Sequence, residues 1–388
     1  MKVDTPRRLF GTYLDRHWTM LFSIALLIAL GLRLVIMFQG QPNSARDSGS
    51  PDEYSYVSPR LSFTQGDAAN YDQMARNFLA GRGLVYGEHD EHKASRPPLY
   101  SLFLAFLYAL FGRSLLAVGL AHVCLGVGTC AIVGLLARRY LSPAAGLLSM
   151  LGTAAEPQLL KWSASVYSET LMVFLVALLV LAHLWAARRE SIWPAIIAGL
   201  SIGIAALCRQ TILPFFLFGA VWLGFKWSQR PSPVVRNLAV YLLSIALIIS
   251  PYAIRNYMVQ GAATPLTTKA GGILSGNNNP SARTIWEDPP KMEIGYRGFG
   301  QGFDTRHREK PTPAQKVETV PLQQHQARQV QFLQFVRGHP LRYLELCISR
   351  VMYMWNLWPT PPPSMIFFAV YWLMLVVACV GAIAYWKR

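Results

Sequence analysis

Charge is scarce in this sequence, and negative charge is scarcest. Twenty Asp and Glu stand against 36 Lys and Arg in 388 residues, and only 14% of the chain is charged. Soluble domains carry about a quarter charged residues, so an ordinary soluble enzyme is disfavoured from the outset. The cysteines are few and scattered: Cys124, Cys130, Cys208 and Cys379 lie within apolar runs and Cys347 near another, with no zinc spacing and no disulfide framework. Internal repeats are lacking, and low complexity is confined to "PTPPP" (359–363). No P-loop occurs, because the glycine-rich "GRGLVYG" (81–87) lacks the Lys-Ser/Thr that such a loop needs. No cleavable signal is evident, since the first apolar run, Trp18 to Phe38, is too long for a signal core.

What is abundant is apolar sequence, 53% of the chain. This composition fits an all-α polytopic membrane protein. Candidate spans fall at roughly 18–38, 114–136, 142–160, 170–187, 193–208, 211–225, 238–254 and 364–386. The net charge of +16 would suit a nucleic-acid binder, but many of its basic residues sit in short groups between those spans. Lys2, Arg7, Arg8 and Arg16 precede the first span and place the N-terminus in the cytoplasm. Arg138–Arg139, Arg188–Arg189, Lys226/Arg230/Arg236 and Lys387–Arg388 then mark further cytoplasmic turns, each two spans apart. The expected setting is the cytoplasmic membrane, with nucleic acid ruled out as partner. The run from Leu99 to Phe111 is apolar all round, but as a helix it is roughly 20 Å long, short of the ~30 Å core. If it crossed, the later basic clusters would move outside, so it reads as an in-plane or re-entrant helix between Pro97–Pro98 and Gly112. The chain thus divides into a core at 1–254 with its first external loop at 39–113, an external loop at 255–363 with a juxtamembrane helix, and a last span at 364–388.

Against this background "GDAANYDQMARNFLAGRGL" (66–84) is unusual. Tyr71, Met74, Ala75, Phe78 and Leu79 recur with helical spacing, and Gly81 follows as a stop. Asp67 opens the helix, where an acid also suits the positive dipole end. Glu169 in "SASVYSETL" arrives at the same external edge, where a carboxylate beside a span marks a functional candidate. It too suits a helix start. Arg96, Arg209 and Arg255 reach that edge by the same topology; singly, each also suits a snorkelling anchor. Together they form a coherent inventory. A carboxylate can take the proton of an acceptor hydroxyl or amine, and arginines can neutralise a departing phosphate. Tyr71 and Asp72, on the same helix as Asp67, are candidate substrate contacts. In "SGNNNP" (275–280), Asn277 and Asn278 could bond sugar hydroxyls or simply form a turn. "EHDEHK" (88–93) offers metal-type side chains without further ligands and suits a solvated loop better. No cofactor is fixed by the sequence; a divalent cation, Mg or Mn, is compatible with the paired acids. Arg33, inside the first span, has no evident role.

"GDAANYDQMARNFLAGRGL", "SRPPLYSLFLAFLYALFG", "ARRYLSPAAGLL" and "SASVYSETL", followed by "ALCRQTILPF" and "SPYAIRNY", resemble in order and spacing the polytopic glycosyltransferases of the GT-C fold. The closest group is the dolichyl-phosphate-mannose–protein mannosyltransferase-like family, over residues of about 60–360. The resemblance implies a polyprenyl-phosphate sugar donor, inversion at the sugar carbon, Asp67 as essential acid, Glu169 as second external acid and Arg96 at the lipid phosphate. The acceptor, whether protein, lipid or glycan, stays open. A polar insert at about 39–65 separates the first span from Asp67, which makes Asp52 and Glu53 rivals for the acid role. A transporter of lipid-linked sugars and a non-catalytic assembly partner are the alternative functions.

Overall fold

A computed structural model describes residues 13–38, 66–86, 96–189, 191–229, 233–260 and 322–354, with the isolated positions 266, 278, 279 and 282. It is all helix, with no strand among the described residues. In chain order the helices are α1 (Trp18–Phe38), α2 (Gly66–Leu79), α3 (Leu99–Phe111), α4 (Leu115–Tyr140), α5 (Pro143–Ala155), α6 (Pro157–Ser163), α7 (Glu169–Ala186) and α8 (Ile192–Cys208). A 3-10 turn, Gln210–Ile212, precedes α9 (Phe215–Ser228), α10 (Val234–Gln260), α11 (Leu322–Gly338) and α12 (Pro340–Met354). Five segments (α1, α4, α7, the turn with α9, and α10) are long and apolar enough to cross a bilayer; α3, α5 and α8 are shorter apolar helices. The chain is a multi-pass membrane protein. Large apolar side chains lie exposed on these helices, Leu27, Phe218, Val221 and Leu247 among them, as lipid contact requires.

Two compact units make up the chain, Met1–Thr267 and Thr268–Arg388. The expected run at 142–160 is two helices, because Pro157 cannot donate into α5 and the chain turns at Glu156. Glu156 then caps α6, accepting the Leu159 N–H at 2.6 Å. Ser114 and Ser142 cap α4 and α5 in the same way. The run at 364–386 lies outside the described residues.

Helices α1 and α4 are antiparallel neighbours. Trp18 sits under the Arg138 guanidinium at 4.3 Å, whereas Arg33 lies against Gly126 and Met37 shares a buried cluster with Leu115. The segment joining α1 to α4 therefore leaves and returns at one end of the bundle. Helix α3 lies in that segment and does not carry the chain to the far end. Its two flanks both reach α2: Arg96 pairs with Asp67 and Arg113 with Asp72.

Helices α8 and α10 pack through small residues. A Cβ on Gly199 would lie 2.3 Å from the Tyr241 carbonyl oxygen and 2.8 Å from Ser244 Cβ, and one on Gly203 would lie 2.7 Å from Ile248 Cβ. Close backbone approach of this kind holds helices together where lipid offers no hydrophobic gain. Gly199→Ala must push the backbones apart and is expected to cost about 1–3 kcal/mol. Thermal melting of the purified protein in detergent checks this, with Gly152→Ala, whose Cβ would meet nothing within 4 Å, as the neutral control.

In the second unit, α11 and α12 are joined through an edge-on contact of Phe332 with Tyr343, ring centroids 5.8 Å apart. Where one helix was expected within 255–363, the described residues hold two, parted before Pro340. Arg342 pairs with Glu345 at 2.7 Å, while Leu341, Leu344, Ile348 and Val351 form an exposed apolar stripe on α12.

Candidate active site

Asp67 begins α2 and Arg96 precedes α3. Both carboxylate oxygens of Asp67 accept from the Arg96 guanidinium, one of them at 2.8 Å. One helical turn on from Asp67, Tyr71 presents its ring to the same guanidinium, 5.0 Å from carbon Cζ to centroid. Arg96 is held from behind as well, because the Tyr252 hydroxyl on α10 donates to its backbone carbonyl at 2.8 Å. The Arg96 side chain is only 12% exposed, but that of Asp67 is 51% exposed, so the acid is the accessible partner. The Arg96 Nε is buried and has no hydrogen-bond partner.

The second acid, Glu169, opens α7, directly after Ser168. Tyr71 donates to the Ser168 hydroxyl at 3.3 Å. Arg209, just past α8, donates to that same hydroxyl at 3.4 Å and pairs with Glu169 at 2.5 Å. Asp67, Arg96, Tyr71, Ser168, Arg209 and Glu169 are thus one continuous chain of contacts built from four segments distant in sequence. Arg255 adjoins it. It stands 5.8 Å from the Tyr252 ring and donates to the Leu84 carbonyl at 3.2 Å, fastening the loop that follows Gly81 and Gly83. Asn77 holds the same loop through the Val85 carbonyl at 2.8 Å.

Burial disfavours the charge on Arg96, yet the Asp67 carboxylate, with Tyr71 and Tyr86, more than offsets it and the guanidinium is held firmly cationic. Arg209 behaves likewise: burial opposes its charge and Glu169 prevails. Burial raises the Tyr71 phenol, with Arg96 pulling the other way. Tyr167 is raised by burial first and then by the charges of both Asp67 and Glu169, so this one phenol senses both acids.

Asp72 has a different setting. It is 1% exposed and accepts from the Tyr108 hydroxyl at 2.9 Å, from Arg113 at 2.8 and 3.2 Å, and from Arg76 at 3.0 Å. Its oxygens are occupied within the protein, and it fastens α2 to the far end of α3. Asn278 belongs to the second unit, buried, and accepts from Arg350 at 2.6 Å. Asn277, Asp52, Glu53 and the 88–93 stretch lie outside the described residues. Among the described residues no three His, Cys, Asp or Glu side chains cluster as metal ligands, and Asp67 and Glu169 each face an arginine. Sequence reasoning missed Ser168, Tyr167 and Tyr252. All three stand inside the motifs "SASVYSETL" and "SPYAIRNY", next to residues that were singled out.

Comparison with curated proteins and with solved structures gave no match. A family model does match. It covers residues 95–254, and so includes Arg96, Glu169 and Arg209 but begins after α2 and ends one residue before Arg255. That model is described as dolichyl-phosphate-mannose-protein mannosyltransferase, and residues 95–254 of this chain are similar to it.

Proposed function

We propose that the protein transfers a sugar from a polyprenyl-phosphate donor to an acceptor at the external face of the cytoplasmic membrane. The observation that carries this reading is the linked pair of ion pairs, Asp67–Arg96 and Glu169–Arg209, joined through Tyr71 and Ser168. Asp67 takes the proton of the acceptor hydroxyl or amine as that atom forms its bond to the anomeric carbon. The bond from this carbon to the phosphate oxygen breaks, and its electron pair leaves with the lipid phosphate. Attack opposite the leaving group inverts the sugar carbon. Because phosphate is a good leaving group, no acid need protonate it. Arg96 and Arg209 neutralise the charge that builds on it.

In the unliganded state Arg96 occupies Asp67. Donor phosphate competes for that guanidinium, and the exposed carboxylate is released to act as base. The buried, unpartnered Arg96 Nε supplies a donor ready for the exchange. Glu169 keeps Arg209 in place and positions the acceptor. Tyr71 ties the two ion pairs together through Ser168, and Tyr167 lies in the field of both acids.

Incubation of reconstituted liposomes with a radiolabelled polyprenyl-phosphate sugar and an extract of envelope acceptors tests the reading. Label appearing in acceptor, with release of polyprenyl phosphate, is the expected result. Movement of labelled lipid across the bilayer without transfer would identify a flippase, and neither event would indicate an assembly partner. Arg96→Gln is expected to raise the KM for donor roughly tenfold or more, as loss of a charge-assisted contact does, and the same assay measures it.

A further inference from the structure

His122 lies about two turns into α4, is 0% exposed and has no part in the reaction described above. A side chain with two ring nitrogens is costly to enclose in an apolar span, so one kept there calls for a purpose. Its Nε2 and the Tyr100 hydroxyl stand 3.1 Å apart, and its ring lies nearly parallel to that of Phe103, with centroids 6.0 Å apart. Both partners belong to α3. The Ser165 backbone, in the turn that leads to Ser168 and Glu169, is a further polar neighbour of the ring, although Nδ1 makes no close hydrogen bond.

Tyr100 passes the contact on to the candidate active site. It is 0% exposed too and meets the Tyr71 ring at 81°, with centroids 4.8 Å apart. Tyr71 is the link between the two ion pairs: its ring faces the Arg96 guanidinium, and its hydroxyl donates to Ser168, which also receives Arg209. The aromatic contacts that run from α4 through α3 to α2 therefore end on the residue that joins both pairs. Around them lie apolar side chains, Leu104, Val118, Val123 and Val166 among them. Two apolar residues in place of Tyr100 and His122 would fill that cluster with no polar group to desolvate, at little cost in stability. What they could not do is fix one rotation of the Tyr100 ring and one register of α3 on α4. A single side chain, on a helix with no residue in the site, thus braces both α3, which Arg96 precedes, and the turn that carries Ser168.

We propose that His122 is a positioning residue for sugar transfer: through Tyr100 and through the Ser165 turn it sets the spacing of the Asp67–Arg96 and Glu169–Arg209 pairs, and with it the alignment of acceptor and donor. It contacts neither substrate, and the inference rests on the transfer reading above. Each arginine keeps its own carboxylate when the brace is lost, so donor binding persists and the loss falls on turnover. Misalignment by about 1 Å costs roughly 10²-fold in rate.

Tyr100→Phe removes one hydroxyl, and His122→Phe keeps a ring against Phe103 while removing both nitrogens. In the liposome transfer assay each is expected to lower kcat by about tenfold or more, with the KM for donor within about twofold of wild type and the helical spectrum unchanged. The double variant is expected to lose no more than the worse single one, because both break the same contact. His122→Gln, whose amide can meet the Tyr100 hydroxyl, is expected to recover most of the turnover. An undiminished kcat in folded single variants overturns the proposal, as does a loss that multiplies in the double variant or falls on KM alone. Should His122→Phe fail to fold, Tyr100→Phe decides the matter. Hydrogen–deuterium exchange of the full chain in detergent reads the brace without turnover. Faster exchange in α2 and in residues 163–168 of His122→Phe, with α9 unchanged, is expected; unchanged exchange overturns the proposal. If the wild type transfers no sugar while exchange still responds, the transfer reading falls and the brace stands.

Discussion

Asp67→Asn is expected to reduce sugar transfer by about 10²–10⁴-fold, the usual contribution of a positioned proton acceptor, without unfolding the protein. The amide keeps the shape of the side chain and can still bond Arg96 through its oxygen, but it cannot accept a proton. The stability cost is expected to be small, because the Asp67 side chain is 51% exposed and exposed pairs contribute about 0–1 kcal/mol. The result to look for is a collapse of turnover with donor binding retained or tightened, since the Arg96 guanidinium loses its competing carboxylate. Retention of full activity would remove Asp67 from the base role. A matching loss of transfer and of thermal stability would instead give it a structural one. Glu169→Gln makes the useful contrast. Its partner Arg209 also bonds Ser168, so the loss of the acid leaves the arginine partly held, and the expected effect falls mainly on acceptor use.

Much of this arrangement was legible in the sequence because it follows from periodicity and parity. The helix at Gly66–Leu79 was readable from the spacing of Tyr71, Met74 and Ala75, all three of which are buried. The short run at Leu99–Phe111 was readable from its length, and the antiparallel contact of α1 with α4 agrees with a segment that returns to the end it left. What was hidden depends on partners far along the chain. Phe78 and Leu79 fit the apolar pattern of α2 yet are 44% and 48% exposed, whereas Asp72 and Asn77 are buried on it. Polarity alone could not reveal that Tyr108 and Arg113 would come back to receive Asp72. The Ser168 and Tyr252 hydroxyls were invisible for the same reason: one joins Tyr71 to Arg209, the other grips a backbone carbonyl from a segment over 150 positions away. The split of 142–160 was present in the Glu156–Pro157 pair, whose missing donor outweighs apolar continuity.

Asp72 gives the second large effect, and it runs opposite to that of Asp67. Two carboxylates five positions apart on one helix are expected to fail in different ways, because one is half exposed and the other 1% exposed. Asp72→Asn leaves the buried Tyr108 hydroxyl with a weaker acceptor and withdraws the charge that Arg113 and Arg76 share. Breaking a fully buried pair costs about 3–5 kcal/mol. The two arginine side chains are 37% and 50% exposed and can regain water, which lowers the expected loss to about 2–3 kcal/mol. For a chain of this size the melting temperature in detergent should fall by roughly 2–4 °C. The contact joins α2 to the C-terminal end of α3, while Arg96 joins the two at the other end. Loss of the first lets α2 pivot about the second, so transfer should also decline, by less than in Asp67→Asn. If Asp72 instead contacts substrate, its amide variant would raise the KM with stability untouched. Melting and kinetics measured on the same preparation separate these outcomes, and only a fall in stability is consistent with a carboxylate already saturated by Tyr108, Arg113 and Arg76.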